Sequence, residues 1–314
     1  MVRIADSGVL VIDKPVGPTS HDVVARMRKA FDTHAVGHAG TLDPQASGVL
    51  VVALGQATKL AFYLTQQDKR YEATVTFGTS TNTLDREGEI VATGPIPDDL
   101  AKALVERSAA GSTLLAAALD RERQRKEQIP PAFSAIKQGG RSVHKLARRG
   151  EEVILEPRAI EVKSLEITAT SADSLGLSLV VSKGYYVRAL ARDLGETLGV
   201  PAHLSSLRRT ASGAFSLEEA LPLEASPEDL RRALQPVALV AARVLPVAEL
   251  SGEGVRFARH GKALTAQHFS IAPASGISAW FGPDGDLIAI GRASGEGTFA
   301  VQRGFSYSTS SAVT

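Results

Sequence analysis

The feature that most constrains this chain is a glycine-bounded loop that leads directly into an apolar strand. The loop covers residues 37–48 and carries one histidine, His38, and one aspartate, Asp43. The apolar run at residues 49–54 is typical of a strand buried on both faces. Glycine permits backbone dihedrals and close approaches that other residues forbid, and loop side chains at the end of a buried strand can meet a ligand. An Asp-Pro pair alone usually marks a turn. Here the pair also places a carboxylate in the loop at the end of a buried strand, where the carboxylate can act as a nucleophile or base.

The rest of the hydrophobic pattern predicts an α+β fold with a mixed, largely antiparallel central sheet flanked by helices. We expect strands at residues 8–12, 47–54, 69–77, 160–169 and 175–182, and helices after an N-cap at Ser20, over 57–64 and over 187–198. Helices and strands alternate irregularly, with many hairpin-length connections. This argues against repeating βαβ units.

The 314 residues are enough for two domains. We expect a large domain at residues 1–243, with a helical insert at 108–128 that is rich in alanine and then in charge. The pattern changes after Pro236, and short strands with frequent glycine predict a small β-rich domain at 246–305. The polar residues 306–314 are predicted to be a disordered tail.

Composition excludes several classes of function. The chain has no cysteine, which rules out disulfides, a thiol nucleophile and thiolate metal sites. It shows no signal peptide and no apolar run of about 20 residues, so we expect a cytoplasmic protein that does not bind membranes. Neither a P-loop nor a dinucleotide fingerprint is present. His34 and His38 lie four residues apart, but with no third ligand at a suitable spacing we expect no metal site.

The net charge is only +1, so any nucleic-acid footprint must be local. The segment at residues 137–149 carries five basic residues and no acidic one. These residues form either a solvated helix face with a turn or a local nucleic-acid footprint, and the charge pattern alone leaves both open. The basic residues are Lys137, Arg141, Lys145, Arg148 and Arg149.

Three more features could meet Asp43 in space. Tyr71 stands near the start of a predicted strand, Asp85 lies in a loop with Thr83, and Arg188 lies in the first turn of a predicted helix after a glycine hinge. A buried carboxylate needs a partner, and an arginine is a suitable one. Each residue alone would more often be structural: a core aromatic, a loop acid, a surface cation. Spacing alone does not show that they meet.

Taken together and in order, these motifs closely resemble the TruB family of tRNA pseudouridine synthases. The resemblance covers about residues 8–215, and the aspartate loop with the downstream Ser-Lys-Gly-x-Tyr-x-Arg motif is its most specific part. The C-terminal domain is similar, more weakly, to a PUA RNA-binding module. The motifs that carry the resemblance are Asp13-Lys14-Pro15, Gly37-His38, Gly40-Thr41-Leu42-Asp43-Pro44, Lys69-Arg70-Tyr71, Thr83 with Asp85 and Gly88, Gln128-Ile129-Pro130-Pro131, Ser134-Ala135 with Lys137, Ser182-Lys183-Gly184, Tyr186 with Arg188, and Leu207-Arg208-Arg209.

The resemblance implies the activity and the partner. It implies a pseudouridine synthase core that isomerises the uridine at position 55 in the T loop of tRNA, with base flipping and with neither cofactor nor metal. The partner would be the tRNA T stem-loop, and the enzyme would be a monomer with no obligate protein partner. The PUA-like domain would grip RNA outside the active site.

The resemblance also implies roles for individual residues. Asp43 would be the nucleophilic aspartate, Tyr71 would stack on the flipped base and assist proton handling, and Arg188 would pair with Asp43. Lys14 would support the strand beside the pocket and belong to the substrate-binding set. The other substrate-contacting positions would be His38, Tyr186 and Leu207. The sequence leaves open whether the aspartate forms a covalent intermediate or extracts a ribose proton.

Two departures and two alternatives remain. Phe133 stands where many relatives carry tyrosine, and the insert is longer and more charged than in the family pattern.

A glycosidase with Asp43 and Asp85 as paired carboxylates is a second enzyme class, and it would make Asp85 as essential as Asp43. A catalytically idle RNA-binding or RNA-folding protein is a third possibility, and it would tolerate Asp43→Asn.

Overall fold

The computed structural model describes residues 7–106, 112–133, 155–295 and 297–306, and the backbone alone at residues 137–138 and 141–142. The predicted tail beyond residue 306 lies outside these residues. So do Lys145, Arg148, Arg149 and the side chains of Lys137 and Arg141, which belong to the predicted RNA-contacting segment. The prediction for this segment is therefore untested by the fold.

The described residues form eight α-helices and 22 short or long strands. The helices are α1 (Ser20–Ala30), α2 (Ala61–Thr65), α3 (Asp98–Glu106), α4 (Thr113–Arg123), α5 (Val187–Leu198), α6 (Pro227–Arg232), α7 (Val237–Val244) and α8 (Gly252–Arg259). The strands of the larger part are β1 (Gly8–Lys14), β2 (Val36–His38), β3 (Ser47–Leu54), β4 (Lys69–Phe77), β5 (Thr79–Thr81), β6 (Ile90–Thr93), β7 (Glu127–Gln128), β8 (Lys137–Gln138), β9 (Arg141–Ser142), β10 (Arg158–Ala159), β11 (Val162–Thr170), β12 (Ser174–Val181), β13 (Ala202–Ser212), β14 (Phe215–Ser216), β15 (Leu221–Pro222) and β16 (Gln235–Pro236). The C-terminal strands are β17 (Val247–Leu250), β18 (Leu264–Thr265), β19 (Phe269–Ile271), β20 (Ile277–Phe281), β21 (Leu287–Ala293) and β22 (Thr298–Gly304).

Ten strands form the central sheet, whose main path runs β11-β12-β4-β13-β3-β1-β15. β13 pairs with β3, and β1 with β15, in parallel, whereas the other pairs in the sheet are antiparallel. The predicted α+β class with a mixed, largely antiparallel sheet is therefore confirmed. The apolar run of β3 is buried along nearly its whole length, because helices cover one sheet face and the C-terminal domain packs on the other.

Two local predictions need correction. The N-cap of α1 is Thr19, not Ser20, because the Thr19 hydroxyl accepts from Asp22 N while the Asp22 carboxylate accepts from Thr19 N. This reciprocal pair is a capping box. The predicted helix over residues 57–64 is a 3₁₀-helix at Gly55–Leu60 that continues into the short α2.

The C-terminal domain is a six-stranded sheet in the order β18-β22-β21-β20-β17-β19, with α8 against it. Trp280 is fully buried in its core. The opposite face of this sheet shares an apolar cluster with the central sheet, in which Ala279, Leu287 and Ile290 join Val49 and Val51. The predicted small β-rich, PUA-like fold is thus formed and packs directly on the larger sheet. Among the described helices, none has the length and apolarity that a bilayer span would need.

Candidate active site

A cavity of about 270 Å³ opens beside the loop that leads into β3, next to the start of β4 and the middle of β13. We call residues 37–48 the aspartate loop and residues 182–188 the opposite wall. The cavity lies between them, with β4 and the end of α2 at its base. Its lining residues are Gly40, Thr41, Leu42 and Asp43 from the loop, Lys183, Gly184, Tyr185, Tyr186, Val187 and Arg188 from the opposite wall, and Thr65, Lys69, Tyr71, Leu207 and Arg209.

Asp43 faces Arg188 across the cavity. Arg188 Nε lies 2.9 Å from Asp43 Oδ2, a charge-assisted contact that joins residues 145 positions apart. The Asp43 side chain is 36% exposed, whereas that of Arg188 is only 7% exposed. The carboxylate is therefore oriented by a buried cation and still open to a molecule in the cavity.

Arg188 is itself held by three groups behind it. Nη1 donates to Thr83 O at 3.1 Å and lies 3.5 Å from Asp85 Oδ2, and Nη2 donates to Phe133 O at 2.8 Å. Asp85 is buried, and its Oδ1 accepts from Thr83 Oγ1 at 2.6 Å. One arginine thus stands between two aspartates, of which only Asp43 lines the cavity. Because Phe133 contributes its main-chain carbonyl, the tyrosine-to-phenylalanine departure leaves this contact intact.

The aspartate loop is held through its main chain. Arg209, which is 1% exposed, donates from Nη2 to Gly40 O at 3.0 Å and from Nε to Val49 O at 2.7 Å. The Ser20 hydroxyl both accepts from Leu42 N at 2.8 Å and donates to Leu42 O at 2.9 Å. These bonds fix the backbone on both sides of residue 43 and leave its side chain available to Arg188 and the cavity.

Lys14 supports the same loop from below. Its side chain is fully buried, and its ammonium donates to Pro15 O at 2.8 Å, Pro18 O at 2.9 Å and Pro44 O at 3.4 Å. Lys14 does not line the cavity. The structure therefore places this member of the predicted substrate-binding set under the loop, where it acts on the protein backbone.

Gly48 shows why the loop must end in glycine. Its φ is +103°, a conformation that other residues rarely adopt. A Cβ at this position would lie 2.1 Å from Arg209 O, so a side chain could not be accommodated. Gly48 pairs with Arg209 in the parallel β3–β13 ladder, and this close approach fixes the register that brings the arginine under the loop.

Two buried lysines near the cavity have low pKa values. Burial lowers the pKa of Lys14 to about 8, although the Asp43 carboxylate acts in the opposite direction. Burial likewise lowers the pKa of Lys69 to about 8, and Arg209 adds to the effect. Lys69 lines the cavity and donates to Thr65 O at 2.6 Å and to Gln67 O at 2.5 Å.

The structure places the remaining predicted site residues as follows. Tyr71, on β4, and Leu207, on β13, line the cavity and are both 9% exposed. Tyr186 lines it at the start of α5, and burial raises the pKa of its hydroxyl. His38 does not line the cavity and stacks edge-on against His21, with ring centroids 5.7 Å apart. Burial lowers the pKa of His38, and His21 lowers it further.

The insert contacts the opposite wall, which the sequence pattern did not indicate. The Tyr185 hydroxyl donates to Glu122 Oε1 at 2.7 Å, and both side chains are buried. Glu122 also binds Arg125 Nε at 2.6 Å. The Gln128 side chain accepts from Tyr186 N at 2.8 Å and donates to Tyr186 O at 3.2 Å. These side chains hold two cavity-lining residues in place.

Within the residues that the structure describes, no cluster of three or more histidine and acidic side chains could hold a metal ion. The ion pair, the tyrosine hydroxyls and the buried cations are groups that can orient a carboxylate and handle protons.

Comparison with known sequences now defines the class of this protein. The sequence profile described as TruB family pseudouridylate synthase (N terminal domain) matches residues 28–187, and that of the tRNA pseudouridylate synthase B C-terminal domain matches residues 188–240. Pseudouridylate synthases are isomerases. A curated tRNA pseudouridine synthase B from Mycobacterium sp. (strain KMS) is 42% identical over 291 residues, which cover 90% of this chain and 91% of the relative. The chain belongs to the TruB family.

Other relatives agree. The tRNA pseudouridine synthase B of Thermobifida fusca (strain YX) is 40% identical over 90% of this chain and 93% of its own length, and that of Bacillus subtilis (strain 168) is 45% identical over 68% and 67%. A chain from an H/ACA RNP bound to a substrate RNA containing 2'-deoxyuridine superimposes with a TM-score of 0.68 at 26% identity. That match covers 97% of this chain and 86% of the other.

Proposed function

We propose that this protein isomerises the uridine at position 55 in the T loop of tRNA to pseudouridine, with Asp43 as the reacting carboxylate. The observation that carries the proposal is the Asp43–Arg188 contact of 2.9 Å inside a cavity lined by Tyr71. Family membership supports pseudouridine formation, and the curated relatives that are named tRNA pseudouridine synthase B support tRNA as the substrate.

The reaction needs only groups of the kind that this cavity offers. The N1–C1' bond of uridine breaks, the uracil turns, and C5 bonds to C1'. C5 then loses its proton and N1 carries one, so product and substrate have the same atoms. Asp43 reacts either as a nucleophile that holds the intermediate or as the base that takes a ribose proton, and in both roles it must be ionised. Arg188 places a positive charge next to it.

The target base must leave its stack to reach Asp43, which costs a few kcal/mol. In this proposal Tyr71 and Leu207 receive the flipped base, because both line the cavity. Tyr71 stacks on the uracil and its hydroxyl assists the proton transfer, while Tyr186 contacts the substrate from the opposite wall. His38, at the start of the aspartate loop, contacts the RNA outside the cavity.

Two further parts would bind the tRNA outside the cavity. The C-terminal domain grips RNA as a PUA-like module, and the basic segment at residues 137–149 contacts phosphates. Binding then weakens steeply with salt, and neutralising Lys137, Arg141, Lys145, Arg148 and Arg149 flattens that dependence. In this proposal the enzyme acts as a monomer and needs no obligate protein partner.

The direct experiment is incubation with an unmodified tRNA transcript followed by mapping of pseudouridine at single-nucleotide resolution. We expect a single modified position, 55, and no reaction with a matched transcript in which that uridine is replaced by cytidine. Pseudouridine at other positions, with uridine 55 intact, would contradict the proposed target. Release of free uracil would instead support the glycosidase alternative.

A further inference from the structure

We infer that Phe62 is a stacking platform for an unpaired base of the bound RNA, on a surface that links the cavity to the arginines of the C-terminal domain. The inference rests on the proposed RNA substrate. It adds a binding residue outside the cavity and a route by which the two domains hold the same RNA molecule.

The fold leaves the Phe62 ring available. Phe62 is 61% exposed, whereas the next two residues of α2, Tyr63 and Leu64, are buried. Its only aromatic contact among the described residues is with Tyr63, edge-on at 5.4 Å between ring centroids. Single exposed apolar side chains are common on protein surfaces, so the position of Phe62 has to carry the argument.

One side of Phe62 faces the mouth of the cavity. Residues three and four apart on a helix are neighbours, so Phe62 shares a face with Thr65 and Gln66. Thr65 lines the cavity. Gln66 Oε1 accepts a hydrogen bond from Lys183 Nζ, which belongs to the opposite wall. Phe62 is therefore about one helical turn from a cavity-lining residue, on the face of α2 that leads to Gln66 and the Lys183 ammonium bound to it.

The other side of Phe62 faces the C-terminal domain. Lys59, just before α2, donates to Gly304 O at 2.7 Å and lies 5.2 Å from the centroid of the Phe305 ring. This anchors the end of β22 next to α2. Arg303 precedes Gly304, and Arg292 lies on β21, the strand paired with β22. Burial raises the pKa of the Tyr63 hydroxyl, and the charges of Arg303 and Arg292 act in the opposite direction. Both arginines are exposed, and neither forms an ion pair with a carboxylate that the structure describes.

This combination suits a single-stranded segment of RNA. An aromatic ring stacks on any base, and cations beside it contact the phosphates. The nearest acid along the chain, Asp68, already binds Lys163 at 2.6 Å, so it does not oppose a polyanion. A nucleotide that flanks the flipped uridine would leave the cavity over Thr65 and meet Phe62. An apolar protein partner would gain little from the exposed cations.

Tryptophan fluorescence offers a direct test. The chain has one tryptophan, Trp280, and it is fully buried. A Phe62→Trp variant in an Asp43→Asn background, mixed with unmodified tRNA transcript, should show quenching of the new exposed indole by a stacked base. Val105→Trp is the matched control because Val105 is 70% exposed on α3. The inference is overturned by an unquenched indole at position 62, or by equal quenching at both positions.

Affinity measurements separate stacking from apolar contact. We expect Phe62→Leu to weaken tRNA binding about 5- to 150-fold, the range for loss of one base–aromatic stack, and Phe62→Tyr to bind as the wild type does. Arg292→Gln and Arg303→Gln should each make the salt dependence of binding shallower. The plot of log association constant against log salt concentration should become less steep by about one for each variant. Arg232→Gln is the control, since Arg232 pairs with Glu228 on α6, and should leave the slope unchanged. If the wild type forms pseudouridine and the Phe62→Leu variant binds tRNA with unchanged affinity, this inference is wrong and the proposed function still stands.

Discussion

The two sides of the cavity are built in different ways. The aspartate loop is held through its main-chain carbonyls by the buried cations Lys14 and Arg209. The opposite wall is held mainly through side chains, by Asp85 on Arg188, by Glu122 on Tyr185 and by Gln128 on the backbone of Tyr186. The aspartate loop is thus held by cations that the fold buries beneath it. The opposite wall is held by side chains of the insert and of the loop that carries Asp85.

The difference indicates how each side tolerates change. A carbonyl is present at every residue, so the loop depends on the cations and on glycine at position 48 more than on its own side chains. A side-chain network needs both partners, and removal of one leaves a buried polar group unpaired. We therefore expect the loss of a buried cation under the loop to reduce stability more than the loss of a single partner in the opposite wall, and both to reduce activity.

The largest effect should come from Arg209→Met. This change removes the donors to Gly40 O, Thr41 O and Val49 O, and we expect a loss of roughly 3 kcal/mol in the free energy of unfolding. Chemical denaturation measures it. The matched control is Arg208→Met, since Arg208 is the neighbouring residue, is 38% exposed and pairs with Asp13. Its loss should cost about 1 kcal/mol or less. Equal losses for the two variants would contradict the account of the loop.

The next largest effect is expected for Asp85→Asn, which alters the opposite wall. Without the charge behind it, Arg188 loses a buried partner and Asp43 loses its fixed orientation, so we expect kcat to fall about 10- to 100-fold with a smaller change in KM. Residual pseudouridine formation separates this positioning role from direct chemistry. A variant as inactive as one that lacks the Asp43 carboxylate would instead favour paired carboxylates.

The contact between Glu122 and Tyr185 should have a moderate effect. A double-mutant cycle with Glu122→Gln and Tyr185→Phe should give a coupling of about 1–2 kcal/mol in the free energy of unfolding. Both single variants should raise KM for tRNA, because Tyr185 lines the cavity. A coupling near zero would show that the insert does not hold this wall.

The smallest effect should be a pH dependence from Lys14. Its pKa is lowered from 10.5 to about 8, so between these values the unfolded chain binds more protons than the folded one. The contribution of Lys14 to the free energy of unfolding therefore rises with pH across that window. Activity should move the other way, because a neutral amine has one donor fewer for the loop carbonyls.

The alkaline fall in kcat, measured around pH 8, should be reduced in Lys14→Met. Lys69 titrates in the same range, so Lys69→Met serves as the comparison. An unchanged alkaline limb in the Lys14 variant would contradict the assigned role.

The sequence was sufficient where the signal is local. The apolar run of β3, the glycine-rich loop and the helix after the Ser-Lys-Gly motif each occupy a continuous segment, and the structure forms them. The capping box could also have been identified, because Asp22 follows Thr19 by three residues whereas Val23 follows Ser20.

The supports of the site could not be predicted in this way. Arg209 contacts carbonyls about 160 positions earlier in the chain, and Glu122 meets Tyr185 across 63. Before folding, both look like ordinary surface charges, and only the parallel β3–β13 pairing and the packing of α4 on α5 bury them. Long-range contacts of this kind leave no period or spacing in the sequence.

The most direct test of the account is single-turnover pseudouridine formation by Asp43→Asn. The asparagine keeps the size of the side chain and the loop bonds, so we expect a folded protein that binds tRNA as tightly as the wild type and forms no detectable pseudouridine. Product at position 55 at a rate near that of the wild type would contradict the central claim that this carboxylate, held against Arg188, carries the reaction.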